Sequence, residues 1–245
     1  MKKLTYLFQS VMNLQLALIR PLVRRSGPIN LGALDRTEPI STDFGYERGV
    51  AIDRYYIDAF LSENKNDIKG RVLEVAENTY TKRFGGKKVT QSDILHVEEG
   101  NSKATIISDL TKADNIPSDF FDCIILLQTL QFIYDIKSAV RHLHRILKPN
   151  GVLLITMSGI SKISRYDMDH WGEYWRFTTA SAQLLFEEEF LPENIKVKTY
   201  GNVLSASAFL YGLAVEDLKP EQLNHNDPEY QMVITVRAEK SGLKH

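Results

Sequence analysis

Three carboxylates lie within or near the ends of short apolar segments, where they could bind a nucleoside. Glu74 lies inside the first segment, Asp93 closes the second, and Asp109 lies near the end of the third. A carboxylate at the end of a strand can accept hydrogen bonds from the hydroxyl groups of a ribose. Asp residues also cap helices and form turns. The joint placement of Asp93 and Asp109 at successive segment ends favours the binding role.

The segments that carry these carboxylates are rich in Val, Ile and Leu. They are residues 70–78, 88–93, 104–110, 121–133 and 146–156. Short apolar runs that end in polar residues are typical of parallel strands buried on both faces, joined by helical crossovers. Ligands in such sheets bind beyond the carboxyl ends of the strands. The sequence therefore predicts an α/β fold whose cleft lies beside the carboxylates.

Two phrases in the later segments indicate a family. FDCIILLQTLQFI resembles the fourth strand of class I S-adenosylmethionine-dependent methyltransferases, and LKPNGVLLIT resembles their LKPGG turn with the fifth strand. The resemblance covers residues 46 to 240 and is nearest to small bacterial enzymes encoded beside sugar and polysaccharide genes. It implies a Rossmann-like, mostly parallel sheet of about seven strands, the last antiparallel, with helices on both faces. It also implies in-line methyl transfer to a small or sugar-containing acceptor, in polysaccharide biosynthesis.

The resemblance implies that S-adenosylmethionine lies along the strand ends. Asp93 would bind its ribose, Asp109 or Leu110 would face its adenine, and Glu74 would support the loop after the first strand. The implied cofactor-binding residues are Glu74, Ala76, Asn78, Asp93, Asp109, Leu110, Gln128 and Thr129.

The first motif departs from the family at one point. The family has Gly-x-Gly after the acidic residue, whereas this chain has Ala76, Glu77 and Asn78. Glycine permits a positive φ and a close approach of the ligand to the backbone. Alanine adds a methyl group, and asparagine tolerates the left-handed region better than most residues. An alternative therefore stays open: a catalytically degenerate, methyltransferase-like binding or scaffold protein.

Other residues are candidates for holding the methionine part of the cofactor. Gln128 and Thr129 follow the fourth strand, and the resemblance implies that this segment lies near the sulfur. Alternatively, Gln128 and Gln131 satisfy backbone groups at the turn from strand to helix. Arg48 and Arg54 either bind the cofactor's carboxylate as a pair or are ordinary surface charges.

The candidates for proton transfer are His170, Asp167 and Tyr134. His170 is the first choice because imidazole titrates nearest to neutral pH. His170 and Asp167 lie in a predicted loop of about 20 residues, a length that is usually functional. We expect Arg165 to Trp171 to face a ring-shaped acceptor and Trp175 to Thr178 to be structural, with Thr178 as a helix N-cap.

Composition excludes several classes of function. The 245 residues are 43% hydrophobic and 25% charged, as in an ordinary globular protein, and the net charge of −1 gives no case for nucleic acid. Cys123 is the single cysteine, so a disulfide framework is excluded and the cytoplasm is the expected compartment. His142 and His144 lie two apart on a predicted helix, so no metal site is indicated. The first segment lacks G-x-G-x-x-G, which disfavours a nicotinamide enzyme.

The N-terminal region differs in composition from the rest. Residues 1–20 predict an amphipathic helix ended by Pro21, and no acidic residue precedes Asp35. Either this helix packs on the domain or on a second subunit as a homodimer, or it contacts the inner membrane peripherally. The predicted organisation is an N-terminal helix and linker at 1–45 and a methyltransferase-like domain at 46–245.

Hydrophobic periodicity predicts the remaining elements. A helix from Asp53 should bury Tyr56, Ile57, Phe60 and Leu61, and a second helix should span residues 135–147. Further helices are predicted at 179–190 and 203–214, and further strands at 194–200 and 231–238.

Overall fold

The computed structural model describes residues 32–242. The described residues from 39 onward belong to one compact unit, and residues 32–38 do not belong to it. The helix predicted at residues 1–20 lies outside the described residues. The dimer and membrane interpretations therefore stay predictions, as does the domain boundary at residue 45.

Within the described chain, seven strands form one sheet. They are β1 (Gly70–Val75), β2 (Val89–His96), β3 (Ile106–Ile107), β4 (Phe121–Leu127), β5 (Leu147–Ser158), β6 (Ile195–Tyr200) and β7 (Val233–Glu239). Their order is β3-β2-β1-β4-β5-β7-β6, and β7 runs antiparallel to both of its neighbours. The predicted Rossmann-like architecture with an antiparallel last strand is confirmed. The strand order reverses between β1 and β4, which creates a crevice at their carboxyl ends.

The helices cover the sheet. The α-helices of the described region are α1 (Ile52–Glu63), α2 (Ile136–Ile146), α3 (Arg165–His170), α4 (Thr179–Glu187), α5 (Val203–Leu210) and α6 (Pro220–Asn224). The prediction for α1 is confirmed, because the four apolar residues expected to face inward are buried. Thr178 caps α4 as predicted, since its side chain accepts a hydrogen bond from the Ser181 backbone N–H. None of the helices in residues 32–242 has the length and apolar character needed to cross a bilayer.

The centre of the sheet is buried on both faces. Ile124, Ile125 and Leu126 are consecutive in β4 and all have zero exposure. Successive side chains of a strand point to opposite faces, so helices must cover both. Cys123 is also fully buried, and burial raises the pKa of its thiol, which confirms its role as a small core residue.

Several boundaries differ from the prediction. β2 continues three residues beyond Asp93, because Ile94 and Leu95 are buried and pair with β1. Helix α2 ends at Ile146 and β5 begins at the next residue, so Pro149 and Gly151 lie inside the irregular start of a strand. The predicted long loop after β5 contains the short helix α3.

Candidate functional site

A cavity of about 790 Å³ opens at the carboxyl edge of the sheet. The last residue of each of four strands lines it: Val75, His96, Leu127 and Ser158. Small-molecule sites have volumes of about 300–1,000 Å³, so this cavity is large enough for a nucleotide-sized ligand. It lies where the reversal of strand order predicts a ligand.

The cavity brings together only part of the predicted site. The predicted residues that line it are Arg54, Ala76, Asp109, Leu110, Gln128, Thr129, Tyr134 and Asp167. Those that do not line it are Arg48, Glu74, Asn78, Asp93 and His170. The binding roles of the first group stay predictions, and the second group needs individual explanation.

Asp93 is not at the end of a strand, so its predicted position was wrong. It lies in the middle of β2 opposite Leu73, and it is only 3% exposed. Its Oδ2 accepts a hydrogen bond from Nε of Arg71 at 2.7 Å, and its Oδ1 accepts one from Oγ1 of Thr105 at 3.1 Å. The Arg71 guanidinium also lies 3.8 Å from the ring centroid of Phe120. Asp93 is therefore an ion-pair partner inside the sheet and not a ribose ligand.

Glu74 shapes the loop after β1 and does not itself line the cavity. Its Oε2 accepts hydrogen bonds from the Thr81 backbone N–H at 2.7 Å and from Oγ1 of Thr81 at 2.6 Å. Its Oε1 accepts one from the Tyr80 backbone N–H at 3.2 Å. Burial raises the pKa of Glu74, against the effect of these hydrogen bonds. Asn78 lies in the same loop, where Nδ2 donates to Oγ of Ser92 at 3.1 Å.

Ala76 adopts the backbone conformation that the family's glycine provides. Its φ is +67°, in the left-handed region, which costs an L-residue roughly 1–2 kcal/mol. Hydrogen bonds hold it there: its N–H donates to Leu95 O at 2.9 Å, and its carbonyl accepts from Nδ2 of Asn101 at 2.7 Å. Ala76 lines the cavity, so its methyl group does not close the cavity at this wall.

Asp109 serves as a helix cap and also lines the cavity. Its Oδ1 accepts hydrogen bonds from the backbone N–H and from Oγ1 of Thr111, both at 2.8 Å. This fixes the short helical turn Leu110–Lys112 at the cavity wall. Asp109 can therefore cap the helical turn and face a ligand in the cavity at the same time.

The first turn of α1 contributes a charged pair to the cavity. Asp53 Oδ1 is buried and has no hydrogen-bond partner among the described residues, and burial raises the pKa of this carboxyl. Arg54 Nε lies 3.8 Å from Asp53 Oδ2 and donates to the Tyr46 hydroxyl at 2.9 Å. Burial lowers the pKa of Arg54, but Asp53 and Tyr46 raise it by more, so its charge is kept. Arg48 instead forms a bidentate ion pair with Asp217 outside the cavity.

Gln131 presents a second unpaired oxygen to the cavity. It lies in the helical turn after β4 and is only 3% exposed. Its Nε2 donates to Oε1 of Gln128 at 3.1 Å, whereas its own Oε1 has no donor among the described residues. A buried acceptor without a donor costs about 1–3 kcal/mol, so this atom marks a place where a ligand can bind.

Tyrosine rings form the outer rim of the cavity. Tyr134, Tyr166 and Tyr174 line it and are 72%, 66% and 50% exposed. Tyr134 and Tyr174 contact each other edge to face, with ring centroids 5.3 Å apart. Trp175 is packed beneath, where Nε1 donates to Ile133 O at 3.0 Å, as expected for a structural residue. Large exposed aromatic surface beside a cavity is typical of a binding site.

His170 lies outside the cavity, so the first choice for proton transfer is not supported. Its Nδ1 is 2.7 Å from the carbonyl of Tyr166, one turn earlier in α3, and its ring stacks on Tyr166 at 4.1 Å. His170 is the last residue of the short helix α3, and its imidazole contacts the preceding turn of that helix and not the cavity. Asp167 and Tyr134 do line the cavity.

A family model described as a methyltransferase domain matches residues 38–192. The chain belongs to the methyltransferase domain family. It is an enzyme of the class I type, and its cofactor is S-adenosylmethionine. A search of curated protein sequences found no match.

Solved structures share the fold of this methyltransferase at low sequence identity. A S-adenosylmethionine-dependent methyltransferase from Archaeoglobus fulgidus is 10% identical with a TM-score of 0.51, and 76% of this chain and 94% of that chain are covered. A candidate sarcosine dimethylglycine methyltransferase from Galdieria sulphuraria is 14% identical with a TM-score of 0.52, over 77% and 86%. The cyclase SpnF is 16% identical with a TM-score of 0.51, over 93% and 95%. At these identities the likeness concerns the fold alone.

The cavity of this methyltransferase fits its cofactor. Ala76 has the positive φ that glycine would allow at this turn. The buried oxygen Asp53 Oδ1 has no donor among the described residues, and Arg54 lies at the cavity wall. A ligand with an ammonium and a carboxylate group satisfies such a pair.

Sequence reasoning missed several residues that the structure brings to the cavity: Asp53, His96, Gln131 and Lys162. His96 ends β2, so extending the second apolar run through Ile94 and Leu95 would have found it. Its Nδ1 lies 2.8 Å from Glu98 O and its ring meets Trp171 edge to face. The sequence carries no signal for Asp53 or Gln131, because helix start and turn positions are commonly polar.

Proposed function

We propose that this methyltransferase acts on a hydroxyl group of a small, sugar-containing acceptor. The observation that carries the proposal is the tyrosine rim, Tyr134, Tyr166 and Tyr174, at the mouth of the cavity. Flat, amphipathic rings at the entrance of the cavity suit a ring-shaped, hydroxyl-rich ligand, because they offer both apolar faces and phenol hydrogen bonds. The unpaired oxygen of Gln131 supports a ligand that donates hydrogen bonds.

The cofactor's amino-acid end is assigned to the start of α1. Asp53 Oδ1 would accept from its ammonium group, and Arg54 would bind its carboxylate. Burial raises the pKa of Asp53, so an ammonium partner is needed to stabilise the ionised form there. At the other end, Asp109 and Leu110 would face the adenine, and His96 would face the ribose in the place predicted for Asp93.

Asp53→Asn should raise the Kd for S-adenosylmethionine about 10- to 100-fold, because a hydrogen bond between charged groups is worth about 1.5–3 kcal/mol. The free energy of unfolding should stay equal or rise, since a buried charge is replaced by a neutral amide of the same shape. Calorimetric titration and thermal unfolding measure the two effects.

A matched control for this variant lies on the same helix. Asp58 pairs with Arg83 at 2.7 Å and does not line the cavity, so Asp58→Asn should leave cofactor affinity unchanged. Equal affinities of the Asp53→Asn variant and the wild type would contradict the assignment of Asp53.

The residues near the tyrosine rim would align the acceptor. When bound, the cofactor would supply a methyl group on a sulfonium: an acceptor oxygen would bond to that carbon in line with the carbon–sulfur bond, which breaks and leaves a neutral thioether. Gln131 Oε1 would accept a hydrogen bond from a second hydroxyl of the acceptor and so orient the ring. Asp167 would accept the proton of the reacting hydroxyl. Alignment alone can lower the barrier by about 7–11 kcal/mol, whereas a positioned base adds about 10²- to 10⁴-fold in rate.

Gln131→Leu tests the alignment role at nearly constant side-chain volume. We expect kcat/KM for the acceptor to fall about 10- to 100-fold, because the lost hydrogen bond leaves a hydroxyl of the acceptor unsatisfied. The Kd for S-adenosylmethionine should not change. Gln183→Leu is the control, because Gln183 is exposed on α4 and bonds to Glu187 at 2.8 Å. Unchanged acceptor kinetics would remove Gln131 from the site.

The deciding experiment is incubation of the full chain with S-adenosylmethionine and a panel of monosaccharides, glycosides and sugar phosphates. Formation of S-adenosylhomocysteine together with a methylated sugar, identified by mass, is the expected result. Methylation of other compounds but of none of the sugars would overturn the acceptor class. Absence of cofactor binding at millimolar concentration would favour the scaffold alternative.

A further inference from the structure

The cavity contains a lysine that lacks an ion-pair partner. Lys162 follows β5 and lines the same cavity as the tyrosine rim. No carboxylate among the described residues lies within 4.0 Å of its Nζ, and its one hydrogen bond, to Ile163 O, is long at 3.4 Å. Burial lowers the pKa of Lys162, which Asp43 and Glu173 oppose from a greater distance. An anionic ligand would stabilise the charged form of this half-buried ammonium group.

Phe44 fixes the position of this ammonium group. Nζ of Lys162 lies 3.6 Å from the Phe44 ring centroid, within the range of a cation–π contact. The Phe44 ring in turn packs on Phe209 at 5.5 Å. The backbone beneath is held by Ser41 Oγ, which accepts from the N–H groups of Asp43 and Gly45, both at 3.1 Å. The cation is therefore preorganised at the cavity wall.

Two acidic side chains act on Lys162 without forming an ion pair with it, Asp43 more strongly than Glu173. The Glu173 side chain is 4% exposed, pairs with Arg176 at 2.6 Å, and accepts from the Ser164 N–H at 2.9 Å. Arg176 also donates to the backbone carbonyl of Lys162 at 2.9 Å, which fixes the start of that side chain. Because no described carboxylate pairs with the Lys162 ammonium, an anion that enters the cavity can bind it.

We propose that Lys162 is an anion subsite of the acceptor pocket, so that the preferred acceptor carries a phosphate ester or a carboxylate on its ring. This inference rests on the proposed function and narrows its substrate class. The tyrosine rim contacts the ring, while Lys162 binds the negative substituent. Arg54, at the start of α1, is left for the cofactor's own carboxylate.

Calorimetry on the full chain saturated with S-adenosylhomocysteine tests the subsite. The probes are glucose, glucose 1-phosphate and glucuronate. Comparing the Kd of each anion with that of glucose shows whether a phosphate or a carboxylate is preferred. We expect at least one of the two anions to bind the wild type about tenfold or more tightly than glucose. Lys162→Met should abolish the difference, and Lys162→Arg should keep most of it. Lys198→Met removes a surface lysine that pairs with Glu63 at 2.6 Å, and it should behave as the wild type.

Three results would overturn the subsite. They are equal binding of glucose and both anions to the wild type, a preference that survives Lys162→Met, and loss of S-adenosylhomocysteine affinity in Lys162→Met. The subsite would also be overturned if Lys162→Arg lost the preference for anions as fully as Lys162→Met does. A positive charge at this position would then not be the cause of the preference.

A second pair of probes separates failure of this inference from failure of the proposed function. Benzoate and benzyl alcohol differ in charge but contain no sugar. If benzoate binds through Lys162 while all sugars fail, the sugar acceptor is wrong and the anion subsite stands. If glucose is methylated as well as its anionic relatives, the proposed function stands and the subsite is wrong. If no probe binds, the subsite is wrong.

Discussion

Asp93→Ala should lower the free energy of unfolding by about 3 kcal/mol, the lower end of the range for breaking a buried ion pair. Asp93 is almost fully buried, but about a third of the Arg71 side chain is exposed, and solvent there moderates the penalty. The variant leaves the Arg71 guanidinium and the Thr105 hydroxyl without their acceptor. Denaturant unfolding of the cofactor-free protein measures the effect.

The cofactor affinity of the same variant separates two roles for Asp93. Because Asp93 does not line the cavity, the Kd for S-adenosylmethionine should remain within a few-fold of the wild type under conditions where the variant is folded. Asp109→Ala is the comparison: it should weaken cofactor binding by about 1–3 kcal/mol with a smaller change in stability. A stable Asp93→Ala variant with lost cofactor affinity would restore the ribose-binding role.

Glu74→Ala should lower the free energy of unfolding by about 2–4 kcal/mol, and cofactor affinity should fall with it. The variant removes the acceptor of three hydrogen bonds, two from Thr81 and one from Tyr80, and each buried donor left unpaired costs about 1–3 kcal/mol. These bonds hold the loop that follows Ala76, so the cavity wall loses its support. Denaturant unfolding and calorimetric titration measure the two losses.

The neighbouring glutamate provides the control for Glu74. Glu77 is exposed and its one hydrogen bond is from the Thr79 hydroxyl, at 2.7 Å. Glu77→Ala should therefore change stability by less than about 0.5 kcal/mol. A Glu74→Ala variant as stable as the Glu77→Ala variant would show that the loop holds its shape by other contacts.

The elements of the fold were largely predictable because burial leaves a local pattern. The apolar runs predicted β1, β4 and β5, and the 3.6-residue spacing in α1 predicted its buried face. Thr178 was recognised as a cap because capping depends on residues three apart in the sequence. The end of β2 was misplaced because the polar Asp93 interrupts a run that pairing with β1 continues.

The site was less predictable than the fold. Asp109, Leu110, Gln128 and Thr129 line the cavity because strand ends meet at one edge in any parallel sheet. His170 and Arg48 were misplaced for a different reason. The partner of each side chain depends on the direction in which the folded backbone orients it. His170 contacts the carbonyl of Tyr166, and Arg48 pairs with Asp217, 169 positions away.

The sequence by itself determined the class of fold, the edge of the sheet where the cavity lies, and the methyltransferase family. Each of these follows from periodicity and from motifs within a few residues of one another. Tertiary structure alone decided that Asp93 is an ion-pair partner, that Ala76 takes a glycine-like turn, and that Asp53, Gln131 and Lys162 face one cavity. Those outcomes depend on contacts between distant segments and on which polar atoms packing leaves without partners, which no local pattern records.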